Sequence, residues 1–214
     1  MNGTVQTPII DRDGRTVTLY TEDDFAGLRR AGRLAAETLD FIAPHVVPGV
    51  ATGHLDRLIE TFMRDHGAIP ATIGYHGYPA ASCISPNHVV NHGIPSDDKR
   101  LANGDIVNID VTVILDGWFG DTSRMYLVGD KIPVKGRRLV DLTYDAMMLG
   151  IAAAKPGATL GDIGHAIQSF AESHRLGVVR DYGGHGIGRE FHAAPHIDHF
   201  GRPGAGLVLV PGMV

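Results

Sequence analysis

Apolar side chains recur at helical spacing from Asp23 to Ala43, where Phe25, Leu28, Ala31, Ala35 and Leu39 fall on one face. Thr21 followed by Glu22, Asp23 and Asp24 supplies a cap and first-turn acids, the signal of a helix start. After the Pro48-Gly49 turn a second helix is predicted from about Gly53 to His66, stopped by Gly67, with Leu55, Ile59, Phe62 and Met63 as its apolar face. The pattern then changes. Ile106 to Leu115 is rich in Val, Ile and Thr, Asp116-Gly117 follows, and Trp118 to Val128 completes a pair of β-rich runs. An Asp-Gly joint between two such runs predicts a hairpin with a two-residue turn. Leu207 to Val210, with Val214 after Pro211-Gly212, is predicted to begin a further strand.

The second helix has a copy. Pro156-Gly157, Gly161, Ile163, Ile167, Phe170 and His174 each stand 108 positions after Pro48-Gly49, Gly53, Leu55, Ile59, Phe62 and His66. Turn, apolar face and helix end share one register, which points to duplication and to two halves related by a pseudo-two-fold axis. The period is too long for a solenoid. Each half supplies helices and antiparallel strands, so the fold class is α+β, a single domain over 1–214 with halves at about 21–130 and 137–214. Leu101 and Gly104 precede the hairpin, and Leu209 and Gly212 repeat them at the same offset, so Ile106 maps onto Val214. The second hairpin is thus expected to be missing, and the chain is expected to be truncated within its fold.

Net charge is −5 with a pI near 6.1, which argues against a general nucleic-acid binder. A lone cysteine, Cys83, excludes an intrachain disulfide and a cysteine-based zinc site, and suits a reducing, cytoplasmic compartment. No apolar run is long enough to span a membrane, and Met1 to Arg15 is polar and acid-bearing, unlike a signal peptide. Two counts change the picture: 28 Gly and 12 His. Glycine at this density implies close backbone approaches, and histidine invites metal or proton chemistry.

Three segments carry that chemistry. In the hairpin, a two-residue loop pairs Thr112 with Asp121 and Asp110 with Ser123. Period-two alternation then puts all four on one face. Asp110 and Asp121 become diagonal neighbours, with Cβ atoms within about 7–8 Å. Like charges on an otherwise apolar strand pair repel and resist desolvation, and a divalent cation between them removes both penalties. The second segment is Gly183-Gly184-His185-Gly186-Ile187-Gly188 with Phe191-His192, where glycines let the backbone crowd a ligand and an imidazole can complete a site begun by carboxylates. The third is Tyr75-His76-Gly77-Tyr78-Pro79, Cys83, Asn87 and His92-Gly93-Ile94-Pro95, an aromatic loop followed by a histidine turn that taken alone fits simple packing equally well.

Together the stretches GYHGYPAASCISPNHVVNHGIP, LANGDIVNIDVTVILDGWFGDTSRMY and GGHGIGREFHAAPHI resemble the type I methionine aminopeptidases, in that family's order and spacing over nearly all of Thr21 to Val214. The resemblance implies the pita-bread fold and a dinuclear metal hydrolase that removes the initiator methionine. It implies Asp110, Asp121 and His185 as metal ligands, and His92 and His192 as catalytic contacts to substrate and tetrahedral intermediate. Tyr75, Tyr78, Cys83 and Phe191, together with His92 and His192, would bind the substrate. Aromatic edges and a thiol suit an unbranched thioether. Two divalent ions are implied, with cobalt, manganese, iron and zinc all suited to the ligands. The implied partner is a nascent polypeptide with a small second residue, and the ribosome is a candidate partner. A monomer is expected, with no direct nucleic-acid or membrane contact. The sequence departs from the family in lacking two glutamate ligands and the pocket tryptophan, and Thr72 stands where some relatives have a pocket cysteine. The 214 residues are therefore expected to be inactive. The alternatives are a non-catalytic pita-bread module that binds peptide or protein, and a prolidase-like iminopeptidase.

Overall fold

The computed structural model describes residues 8–214, so the first part of the polar start at Met1 to Arg15 lies outside the described residues. Two compact units are present. The first comprises Glu22–Asp141 and Gly188–Glu190, and the second the described residues up to Thr21, Leu142–Ile187 and Phe191–Val214.

In the first unit, helix α1 (Glu22–Ile42) opens with its three acids and buries Ala31, Leu34, Ala35, Leu39 and Ile42. Helix α2 (Thr52–Asp65) follows, with Leu55, Ile59 and Met63 fully buried and Phe62 stacked on Phe41 at 4.4 Å. A four-stranded antiparallel sheet is built on β3 (Ile106–Leu115). β1 (Ile69–Pro70) and β2 (Ser82–Pro86) pair in succession along one edge of β3, and β4 (Trp118–Leu127) pairs along the other. Asp116 and Gly117 both have positive φ, 52° and 74°, as the two-residue turn requires. The register is the one the turn dictates, from Leu115↔Trp118 to Ile106↔Leu127.

Alternation decides what each face of the hairpin does. Val107, Ile109, Val111 and Val113 have no exposed surface. They share a face with Trp118 and Gly120 of β4, and that face meets α1. A Cβ on Gly120 would lie 2.4 Å from the Ala31 backbone, and one on Gly27 would lie 2.1 Å from the Trp118 indole. The two glycines are what allow helix and sheet to touch. The opposite face carries Asn108, Asp110, Thr112, Asp121 and Ser123.

In the second unit, helix α4 (Leu160–Ser173) is closed at its start by a capping box between Thr159 and Asp162. Strands β5 (Gly184–Gly186) and β6 (Ala193–Ile197) form a ribbon, with a register shift between His185 and Gly186. The described start of the chain folds back as a short ribbon with a bridge between Ile10 and Thr16. Helix α3 (Val134–Ala153) begins in the first unit and continues in the second.

The duplication is visible bond by bond. α2 and α4 have the same length, and both of their bounds are 108 apart. The bridge Ala51↔Arg100 recurs as Thr159↔Val208. Gly49 N donates to Leu101 O, and Gly157 N to Leu209 O. The helix ends match too: His66 Nδ1 meets Phe62 O at 2.8 Å and His174 Nδ1 meets Phe170 O at 2.9 Å.

Two sequence readings change, and one element was not foreseen. The strand expected from Leu207 to Val210 is not formed. Val208 makes only its bridge to Thr159, closed by Leu160 N donating to Leu207 O and Leu209 N donating to Ala158 O, and Thr52 N to Lys99 O with Leu101 N to Val50 O repeats those bonds around the bridge of Ala51 and Arg100. The segment around Cys83, read as a loop, contains β2, all five residues of which are buried. The 20-residue helix α3 carried no helical signal strong enough to be predicted.

Candidate metal centre

The first unit gathers Tyr75, Tyr78, Cys83, His92, Asp110 and Asp121. Asp110 faces Ser123 and Asp121 faces Thr112, so both carboxylates stand on the hairpin face away from α1, each half-buried. Thr112 Oγ1 donates to Asp121 Oδ1 at 2.8 Å, which fixes one oxygen of that carboxylate. On the next strand Cys83 is the register partner of Asp110. Its thiol is pushed up to about 11, first by burial and then by the negative charge of Asp110 and Asp121, against an opposing hydrogen bond from Tyr78. Two hard carboxylate donors on one hairpin face with a polar hydroxyl beside them fit a divalent cation.

A polar network that sequence reasoning missed positions the pocket strand. The Asp56 carboxylate, on α2, accepts from Ser82 N at 2.8 Å, Ser82 Oγ at 2.6 Å and Ala81 N. Burial raises its pKa, and these three donors oppose that rise. Tyr78 Oη lies 3.0 Å from both Ser82 O and Gly93 O, two acceptors that share its single proton. One hydroxyl thus ties β2 to the turn that carries His92. His92 itself is exposed with φ of 53°, in the left-handed region. Tyr75 opens a short 3-10 turn over Tyr75–Gly77 and is also exposed. Thr72 is buried and its hydroxyl donates to Ala80 O at 2.7 Å. An acid one position after a buried leucine was the only sequence signal for Asp56.

The second unit gathers His185, Phe191 and His192. Their rings are mutual neighbours, with centroids 4.3 Å apart for His185 and His192 and 4.2 Å for Phe191 and His192. His185 Nδ1 lies 3.0 Å from Gly186 O. That contact assigns the proton to Nδ1 and the lone pair to Nε2, the tautomer that ligates a metal. Arg15 Nη2 donates to His192 O at 2.6 Å and anchors that residue's backbone. Among the described residues, no group of three or more His, Cys, Asp or Glu side chains is close enough to hold a metal ion by itself. Asp198 is the only acid after His192, and it is engaged by Arg12 and His196. No helix among the described residues is long and apolar enough to cross a membrane.

The sequence profile of Metallopeptidase family M24 matches residues 26–214. The methionine aminopeptidase of Rickettsia prowazekii is 61% identical over 198 residues, which make up 92% of this chain and 76% of that relative. Its crystal structure superposes with a TM-score of 0.90, covering 92% of this chain and 79% of that one. The methionine aminopeptidase structure from Thermotoga maritima, 37% identical, gives a TM-score of 0.89 with the same coverage. A prolidase from Pyrococcus furiosus, 24% identical, gives 0.76 over 92% of this chain and 55% of that one, a likeness of fold alone. The fold is the pita-bread fold, as the sequence motifs implied.

Proposed function

The chain belongs to Metallopeptidase family M24, and from that membership we propose that it is a methionyl aminopeptidase, removing the amino-terminal methionine of polypeptides by metal-assisted peptide hydrolysis. The observation that carries the reading is the pair Asp110 and Asp121 on one hairpin face, with Thr112 holding one of them. The chemistry divalent cations supply in such a site is Lewis acidity, which lowers the pKa of water and polarises a carbonyl. Two ions are proposed, with Asp110, Asp121 and His185 among their ligands.

The chain's own residues do the rest. Asp110 and Asp121 present carboxylate oxygens, and His185 presents Nε2 because Gly186 O holds its other nitrogen. His192 and His92 are proposed to donate to the substrate and to the oxyanion that develops at the methionyl carbonyl, about 3–4 kcal/mol for a well-placed donor. Tyr75, Tyr78, Cys83 and Phe191 are proposed to enclose the methionine side chain. Cys83 suits that role because its raised pKa keeps it a neutral, polarizable thiol. The proposed substrate is a nascent chain with a small second residue, met in the cytoplasm by a monomeric enzyme, with the ribosome as a candidate partner.

The 214 residues hold three of the proposed ligands, and Asp198 cannot replace the two glutamates because Arg12 and His196 occupy it. These residues alone are expected to release no methionine from Met-Ala-Ser, and measurable release would contradict that. Calorimetric titration with Mn²⁺ tests the ligand assignment independently of turnover. Saturable binding is expected, weakened by more than about tenfold in Asp110→Asn and in Asp121→Asn. Absence of binding would instead favour a non-catalytic peptide-binding module.

A further inference from the structure

The second unit contains a cavity of about 560 Å³ that none of the proposed chemistry uses. Its charged lining is Arg12, Arg180 and Arg202 against Asp11 and Asp198, with Gln168 and His196 as further polar groups. Asp198 is already committed, since it takes both Arg12 amines and His196 Nε2. Burial resists its ionisation, but these partners outweigh burial and hold its carboxyl below the usual range. Arg180 lies 4.3 Å from the Phe200 ring centre, and among the described residues neither it nor Arg202 has a carboxylate at ion-pair distance. Two exposed guanidiniums therefore overlook one cavity, in a chain whose net charge is −5.

The cavity is also stiff. A Cβ on Gly161 would lie 2.3 Å from Arg202 O, and one on Gly164 would lie 2.3 Å from Phe200 O. Backbone touches backbone at both places, so the loop cannot shift without breaking its fit to α4. Gln168 Oε1 accepts from Gly201 N, and Asp162 Oδ1 accepts from Gly204 N. The loop Phe200-Gly201-Arg202-Pro203 is the duplicate, 108 positions on, of His92-Gly93-Ile94-Pro95. In the first copy Gly53 admits the Asp97 backbone, and at the equivalent place Gly161 admits Ala205. The same scaffold thus carries a histidine and an isoleucine in one copy, and an aromatic and a guanidinium in the other.

We propose that this cavity binds a small oxyanion-bearing ligand, a carboxylate or a phosphate gripped by Arg180 and Arg202, with its carbon portion against Phe200, Leu160 and Leu207. Guanidinium forks match both oxyanions through paired hydrogen bonds, and a rigid loop loses little entropy on binding. The proposal stands on the cavity alone and does not depend on the metal chemistry.

The test is titration of the 214-residue chain with inorganic phosphate and, separately, with citrate, followed through the arginine Nε–H resonances. Saturable shifts at Arg180 and Arg202 are expected with at least one probe, and the stronger probe identifies the oxyanion. Arg180→Ala and Arg202→Ala should each weaken binding by about tenfold or more, whereas Asp110→Asn should leave it unchanged. Both arginines are exposed, so neither substitution should disturb folding, and near-ultraviolet circular dichroism checks this. Linear, unsaturable shifts, or saturation indifferent to both arginine variants, would overturn the proposal.

Discussion

Tyr126 shows how much one side chain holds in the first unit. Its hydroxyl donates to the Leu39 carbonyl of α1 at 2.6 Å, and its ring is buried. Burial pushes the phenol up to about 12, with the charge of Asp40 adding to the rise and Arg124 opposing it. A folded pKa above the unfolded value means stability that is whole below about pH 10 and lost as pH rises through about 12. Tyr126→Phe is expected to cost about 1 kcal/mol near neutral pH and to flatten the loss above about pH 10, both readable from urea denaturation at several pH values. The glycines make a sharper pair. Gly120→Ala would drive a methyl into the Ala31 backbone, which cannot swing aside, so a loss of about 1–3 kcal/mol or more is expected. Gly32→Ala meets nothing within 4 Å and sits in an exposed helical position, so the same change at the residue next to Ala31 should stabilise by about 0.5–1 kcal/mol.

Elements show where local chemistry suffices and where it does not. The β3–β4 register was legible because Asp116-Gly117 fixes the turn and everything else follows by counting. α2 and α4 were legible because each repeats one apolar stripe and one aromatic-histidine end. α3 was not, because the residues it buries are small, Ala146 and Gly150, while Tyr144, Met147, Met148, Leu149 and Ile151 stay more than 40% exposed. Hydropathy therefore marks the wrong positions. β2 was hidden for another reason: a five-residue strand buried on both faces has no alternation to detect. The duplicated helices also differ at one functional point. The N-cap of α2, Ala51, offers no side-chain cap, whereas at the equivalent position of α4 Thr159 Oγ1 accepts from Asp162 N at 3.2 Å, and Thr159 N donates to Asp162 Oδ2 at 2.7 Å. The Asp162 carboxyl is held below its ordinary pKa, first by that Thr159 amide, then by Gly204 and the Thr159 hydroxyl. A depressed carboxyl pKa gives stability that is present above the unfolded value and lost as pH falls through the folded one. Thr159→Ala should cost about 1 kcal/mol and should move the Asp162 carboxyl resonance to titrate at higher pH in a ¹³C experiment.

At the scale of the molecule, the sequence located the candidate ligands but could not supply what surrounds them. Asp110 and Asp121 could be assigned to one face by counting from a turn, whereas the Asp56–Ser82–Tyr78 network depends on packing between α2, β2 and the His92 turn, which no local pattern encodes. The carboxylate pair makes a prediction that separates a metal site from a structural one. Without metal, two like charges on the same hairpin face work against folding, by up to about 1 kcal/mol for cross-strand neighbours. Asp110→Asn removes that repulsion with almost no change of shape, and Asp110 is half-exposed, so its lost charge leaves no buried hole. In chelator the variant should therefore be at least as stable as the parent chain. In excess Mn²⁺ the order should reverse, because a ligand that binds only the folded state stabilises it in proportion to the logarithm of its concentration over its dissociation constant, and the variant binds more weakly. Two urea curves in chelator and two in Mn²⁺ decide it. A crossing of the order is the signature of carboxylates placed for a cation, and a variant destabilised equally in both conditions would mean that Asp110 serves the fold and nothing else.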